Sequence, residues 1–194
     1  DPLEWYERTA PTYRQYREHL DGFDHNIFTR LLPRDMADCD ILDIGAGDGR
    51  TYEYFKHRPC KSYTAFDLSP AMLAQFKASN VIKIEWDMNE RRPLLDSSYD
   101  VLLSFFTLEY VTDLQDFFAE AYRVMRQDGI FVFSYFHQRR EFIFGHADTQ
   151  YKIEQSVHSY DHIREALEYN FFTIEELPIR DGMKVVGYVY GCRQ

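Results

Sequence analysis

A glycine-rich loop and three acidic residues stand where a nucleoside could be held. The run Asp43-Ile44-Gly45-Ala46-Gly47-Asp48-Gly49 closes a short apolar segment. Glycines there let the backbone turn sharply and approach a ligand with no side chain between. The spacing is G-x-G-x-G. A dinucleotide fingerprint would place its third glycine at position 50, which is Arg50, and a Walker lysine is also missing. With Asp43 and Asp48 flanking the loop, a diphosphate is disfavoured and a nucleoside bearing a cationic group suits it better. Asp67 lies 22 residues beyond Gly45, where a carboxylate accepts hydrogen bonds from ribose hydroxyls in nucleotide-binding sheets. Asp87, within Trp86-Asp87-Met88, can accept from an exocyclic amine such as that of adenine. Each aspartate taken alone has a structural role open to it as a helix N-cap or turn former. The ordered set describes an adenosine site with a positive substituent.

Such residues need a sheet to place them. Apolar runs predict strands over 40–44, 62–66, 81–86, 100–106 and 130–136, and closing strands over 171–177 and 183–190. Helical patterns lie between them. Residues 50–57 form one, and Ser69-Pro70 supplies an N-cap and first helical residue for the next. Thr112 and Gln115 make a capping-box pattern ahead of Leu114, Phe117, Phe118, Ala121 and Met125. Ile163, Ala166 and Leu167 mark a last helix, and Asp128-Gly129 and Pro178 to Gly182 read as turns. The order implies an α/β fold with a mainly parallel seven-stranded sheet, an antiparallel C-terminal hairpin and a helical cap ahead of the first strand. Ligands of such sheets sit at the C-terminal strand ends, where the glycine loop, Asp67 and Asp87 fall.

The 194 residues favour one domain. Residues 1–38 read as the cap, 39–136 as the ligand-binding core, and 137–194 as a lid segment, the last helix and the closing strands. Lys and Arg number 22 against 32 Asp and Glu, a net charge of −10, which makes nucleic acid an unlikely partner. Cys39, Cys60 and Cys192 lack metal or redox spacing, which points to a reducing, cytoplasmic setting. The longest apolar stretch, 101–111, is too short and too interrupted to span a bilayer, and no signal peptide is visible at Asp1-Pro2. Aromatic residues make up 17% of the chain, concentrated in the lead-in and in Phe142 to Tyr160. These two stretches are available to roof a pocket for a planar or apolar molecule, or to pack the lid onto the sheet.

The sequence resembles the class I S-adenosylmethionine-dependent methyltransferases, in texture the small-molecule group that includes the ubiquinone and menaquinone biosynthesis enzymes. The resemblance rests on ILDIGAGDGR (41–50), YTAFDLSPAML (63–73), WDMNERRPLLDSSYDVLLSF (86–105) and AYRVMRQDGIFVFSYF (121–136). It implies a Rossmann-like fold and S-adenosylmethionine as cofactor. By this resemblance Asp43 and the backbone of Gly45, Ala46 and Gly47 hold the methionine end. Asp67 takes the ribose and Leu68 lies against the adenine. Asp87 accepts from the adenine amine and the Met88 amide donates to the ring. Ser104 and Phe105 line the pocket near the sulfonium, and Tyr13 closes over the cofactor or serves as helix packing.

Methyl transfer from a sulfonium is an in-line displacement that needs chiefly positioning. A general base is required only when the acceptor atom carries a proton, and Glu109 and His137 are the candidates, with a solvated loop acid and a surface histidine as their bland readings. Many relatives carry a histidine where this chain has Glu109. His146, His158 and His162 share no ligand spacing, so no metal is expected. The Asn/Asp-Pro-Pro-aromatic motif of base-amine methylases is replaced by Ser104-Phe105-Phe106-Thr107, and Pro59-Cys60 precedes the second strand, on the wrong side for a cytosine-C5 nucleophile. These features favour a small-molecule acceptor, with a protein side chain as the variant. A non-catalytic regulator that kept the cofactor fold is the alternative class.

Overall fold

The run Asp40–Ile44 is buried at every position, which requires cover on both faces of its strand. The computed structural model of the protein, describing residues 2–16, 26–91, 93–137, 143–146, 149–152 and 156–194, provides that cover. The N-terminal segment forms α1 (Pro2–Thr9) and α2 (Tyr13–Tyr16). Then come β1 (Asp40–Ile44), α3 (Tyr52–Phe55), β2 (Ser62–Asp67), α4 (Pro70–Gln75), β3 (Ile82–Glu85) and β4 (Tyr99–Ser104). They are followed by α5 (Leu114–Val124), β5 (Met125–Tyr135), β6 (Ile143–His146), β7 (Thr149–Lys152), α6 (Tyr160–Asn170), β8 (Thr173–Asp181) and β9 (Lys184–Arg193). Short 3-10 turns occupy Ala10–Thr12, Ile27–Arg30 and Leu108–Tyr110.

Seven strands form one sheet in the order β3-β2-β1-β4-β5-β9-β8. The first five are parallel, and β9 and β8 run antiparallel to their neighbours. This is the mainly parallel, Rossmann-like sheet with a closing hairpin that the sequence pattern implies. Alternation along the strands splits the core in two. Leu42, Ile44, Leu102, Phe131 and Phe133 pack under α5 and α6. Ile41, Val101, Leu103, Ile130 and Val132 pack against α3, α4 and residues 28–36. Each fully buried side chain of this size contributes ~1.5–3 kcal/mol relative to exposure.

Several local expectations change. The N-cap of α5 is Asp113, whose carboxylate accepts from the Asp116 amide at 3.0 Å. Thr112 instead donates its hydroxyl to Asn89 Oδ1 at 3.1 Å, so the N-cap is displaced by one residue. Met125 belongs to β5, and Asp128-Gly129 is an excursion inside that strand, with Asp128 at φ 67° and the register jumping between Tyr99 and Val101. Pro178 does not open the last turn. It lies within β8 at the sheet edge, where a missing N–H costs no ladder bond, and the turn contracts to Gly182 and Met183. The β6–β7 hairpin adds a second, two-stranded sheet to the expected strands. The remainder of the expected lid over 138–155, and residues 17–25 of the lead-in, lie outside the described residues. Among the described residues no helix is long and apolar enough to cross a membrane.

Candidate active site

The glycine loop leaves β1 beneath the ends of its two neighbours. The Gly45 and Ala46 amides donate to the Phe66 carbonyl at 2.8 and 2.9 Å, which turns the chain sharply away from the sheet. Gly45 has φ 74°, and a Cβ there would overlap the Thr107 side chain beyond β4. Gly49 has φ 87°, and a Cβ there would meet the Phe76 ring at 2.6 Å. The loop is thus threaded between two elements that leave no room for a side chain.

Asp67, at the end of β2, holds the loop from the other side. Its Oδ2 accepts from the Gly47 amide at 2.8 Å and its Oδ1 from the Ser69 amide at 2.9 Å. Burial raises its pKa, while these two amides pull it down. A carboxylate offers about four lone-pair positions, so it retains capacity for two hydroxyl donors. At the end of β3, Asp87 Oδ1 accepts from the Asn89 amide at 2.8 Å. Asn89 in turn donates to the Tyr110 carbonyl at 3.1 Å and accepts from the Thr112 amide at 2.8 Å. Asn89 therefore ties the β3 exit to the segment beyond β4.

These strand ends face a cavity of about 1120 Å³. Gly45, Ala46, Gly47, Asp67, Leu68, Asp87 and Met88 all line it, with Phe105, Tyr13 and Glu109. Three expected residues do not. Asp43 lies beneath the loop, 1% exposed, accepting from the Tyr63 hydroxyl at 2.7 Å. Burial pushes its pKa to about 7 against the pull of that hydrogen bond. Ser104 is buried and donates to the Ile44 carbonyl at 3.1 Å, so it braces the β1 exit. His137 is turned to the opposite face of the sheet. Its Nε2 is 3.0 Å from the Tyr190 hydroxyl, and its ring is packed edge-on against Tyr135, Tyr160 and Tyr188. Burial lowers its pKa.

Glu109 sits on the 3-10 turn after β4. Its Oε2 is buried with no hydrogen-bond partner among the described residues, and burial pushes its pKa up to about 7. The residue lines the cavity, and a hydrogen bond from its own backbone amide pulls against the effect of burial. His158, by contrast, is occupied, with Nε2 2.9 Å from the Val111 carbonyl. No cluster of three potential metal ligands occurs among the described residues.

The cap closes the cavity with contacts that the sequence did not signal. Glu7 Oε1 accepts from the Ser69 hydroxyl at 2.5 Å and from the Ala71 amide at 3.2 Å. Arg14 Nε donates to Asp48 Oδ2 at 2.6 Å. The Tyr6 and Tyr110 hydroxyls are 2.9 Å apart, and burial raises the pKa of Tyr6. Arg50 lies over the Phe106 ring at 5.4 Å and the Tyr13 ring at 6.0 Å. Phe106 itself is at φ 56°, a conformation that costs a non-glycine residue ~1–2 kcal/mol, and it stacks on Phe136 at 5.3 Å. Asp67, Asp87 and Glu109 line the cavity at the ends of β2 and β3 and beyond β4, while Arg14, Arg50 and Arg58 line it from the cap and the stretch after β1, together with Asp48 and Glu53.

Comparisons with known proteins place the fold. A family model described as a methyltransferase domain matches residues 42–133. The malonyl-[acyl-carrier protein] O-methyltransferase of Enterobacter lignolyticus is 30% identical over 131 residues, 66% of this chain and 51% of the relative. The demethylmenaquinone methyltransferase of Tropheryma whipplei is 33% identical over 107 residues, 54% of this chain and 44% of the relative. The chain therefore spans about half the length of these relatives. Among solved structures, the DhpI–SAH complex superposes with TM-score 0.77 at 19% identity, covering 98% of this chain and 94% of that one. An S-adenosylmethionine-dependent methyltransferase from Mesorhizobium loti superposes with TM-score 0.71 at 17% identity, covering 89% and 98%. Residues 42–133 thus carry the match to the methyltransferase-domain family, and the fold is that of S-adenosylmethionine-dependent methyltransferases.

Proposed function

We propose that the protein is an S-adenosylmethionine-dependent methyltransferase acting on a small-molecule acceptor. The observation that carries this reading is the convergence of the glycine loop, Asp67 and Asp87 on one large cavity. The residues present fit the cofactor. Asp67 has accepting capacity for ribose hydroxyls beyond its two amide bonds. Leu68 and Met88 offer apolar surface, and Asp87 an acceptor, for the adenine. The Gly45 to Gly47 backbone with Arg14 and Arg50 faces the methionine end, where a guanidinium suits a carboxylate. When bound, the cofactor supplies a methyl group already activated on a sulfonium.

The chain then has three tasks. The Glu7, Arg14 and Tyr6 contacts hold the cap down and exclude water. Phe105 and Tyr13 fix the reactants at short range, a source of ~7–11 kcal/mol in well-oriented pairs. The carboxylate of Glu109, a residue that lines the cavity, takes a proton from an acceptor hydroxyl or amine. In this reading residues 1–38 are the cap, 39–136 the cofactor-binding core, and 137–194 the lid, last helix and closing strands of one domain. Cys39, Cys60 and Cys192 as free thiols support a reducing, cytoplasmic setting.

Calorimetry with S-adenosylhomocysteine tests the site. Micromolar binding is expected in the wild type and at least about tenfold weaker binding in Asp67→Asn. Absence of binding, or equal binding in both, overturns the assignment. Formation of S-adenosylhomocysteine from S-adenosylmethionine over a panel of small acceptors separates an enzyme from a binding protein.

A further inference from the structure

The cavity is larger than the ~300–1,000 Å³ of ordinary small-molecule sites, at about 1120 Å³, so a second molecule fits beside the nucleoside. What lines the remaining space is specific. Beyond β4, Phe105 meets Phe28 at 4.9 Å between ring centroids. Phe28 meets Tyr54 at 5.4 Å, and the Arg58 guanidinium lies 4.0 Å over the Tyr54 ring. All four line the cavity. The series runs outward, from buried Phe28 and half-buried Phe105 to an exposed arginine. It begins beyond the end of β4 and ends at the exposed side chain of Arg58.

From this series we infer that the acceptor is a flat, apolar molecule carrying an acidic group, its body on Phe105, Phe28 and Tyr54 and its anion at Arg58. The inference rests on the methyltransferase reading and names the substrate class of that same site. The acids on the nucleoside side repel an anion, whereas the Arg58 guanidinium, 4.0 Å over the Tyr54 ring, offers a cation on the cavity lining. Glu53, the nearby acid of the lining, is engaged by Lys56 Nζ at 2.5 Å. The handle at Arg58 is distinct from the atom methylated, which lies toward Phe105 and Glu109.

The test titrates three probes, 2-naphthoate, 2-naphthamide and 2-naphthylmethylamine, into protein with and without saturating S-adenosylhomocysteine. The acid is expected to bind about tenfold tighter than the amide, and the amine weakest. Arg58→Gln, at an exposed position, is expected to erase the acid's advantage while leaving S-adenosylhomocysteine affinity unchanged. Tyr54→Leu is expected to weaken acid and amide alike. Equal binding of acid and amide, preference for the amine, binding of none of the three, or a preference that survives Arg58→Gln overturns the inference. Loss of S-adenosylhomocysteine binding alone counts against the methyltransferase reading instead, and the titrations without it still decide the probe preference.

Discussion

Glu7 of the N-terminal helix accepts a 2.5 Å hydrogen bond from the hydroxyl of Ser69, the residue whose same oxygen caps α4 by accepting from the Met72 amide at 3.1 Å. One side chain of the cap is thereby joined to the helix that begins three residues after Asp67. The carboxylate also takes the Ala71 amide, so it sits at the positive end of α4. Cap closure and the shape of the ribose site are coupled through Ser69.

Removing that carboxylate loosens both. Glu7→Ala is expected to lower stability by ~1–2 kcal/mol, the range for a charge-assisted bond at a helix start. Hydrogen exchange of amides in residues 2–16 is expected to accelerate more than exchange in β1 or β4. Uniform acceleration across the sheet would mean that Glu7 supports the fold globally and does not latch the cap.

Gly45 should tolerate nothing larger. Gly45→Ala imposes φ 74° on a side chain and drives its Cβ into Thr107. The conformation costs ~1–2 kcal/mol and the overlap a further ~1–3 kcal/mol. Pairing it with Thr107→Ser, which deletes one of the overlapping atoms, should recover part of the packing cost and none of the conformational cost. Chemical denaturation of the two variants measures the split, and full recovery would place the whole penalty in packing.

Side-chain parity explains what could be read from the chain and what could not. Asp67 and the Ser69-Pro70 cap were legible because strand, acid and helix start are adjacent in sequence. His137 shares a face with Tyr135, which packs under α5 and α6, whereas Ser134 lines the cavity. A shift of one residue at a strand end decides the face. Ser104 has the parity of Leu102 and likewise points away, into the Ile44 carbonyl. Asp43 lies on the Tyr63 face but under the loop, covered by the turn that made it look functional. Glu7 and Arg14 meet partners 62 and 34 residues away, and no local pattern marks such contacts.

Acid should undo the far end of the sheet first. Asp40, at the start of β1, is held down to about 2 despite its burial by hydrogen bonds from Ser62, Arg126 and Lys61. A carboxyl lowered in the folded state contributes stability that is full above its unfolded pKa of about 3.9 and is lost as pH falls toward 2. After allowing for solvent screening this amounts to about 1 kcal/mol. Arg126→Met should reduce stability at pH 7 and flatten its decline between pH 4 and pH 2, as read by urea titration. An unchanged decline would assign the acid sensitivity to other carboxylates.

Glu109 should behave in the opposite sense. Burial raises its folded pKa to about 7, so between about 4.3 and 7 the folded protein binds more protons than the unfolded chain. Its contribution to stability therefore falls as pH rises through that window and is lowest above it. Glu109→Gln carries no such titration, and its stability relative to wild type should improve from pH 4 to pH 8 by on the order of 2–3 kcal/mol. If the same carboxylate is the proton acceptor, wild-type kcat on a hydroxyl acceptor should rise with pH and level off above about 7. The variant should then lose ~10²–10⁴ in kcat while binding S-adenosylhomocysteine as the wild type does. A variant that shows the stability change yet keeps its kcat would make Glu109 a buried acid of the cavity wall and leave the acceptor's proton to solvent.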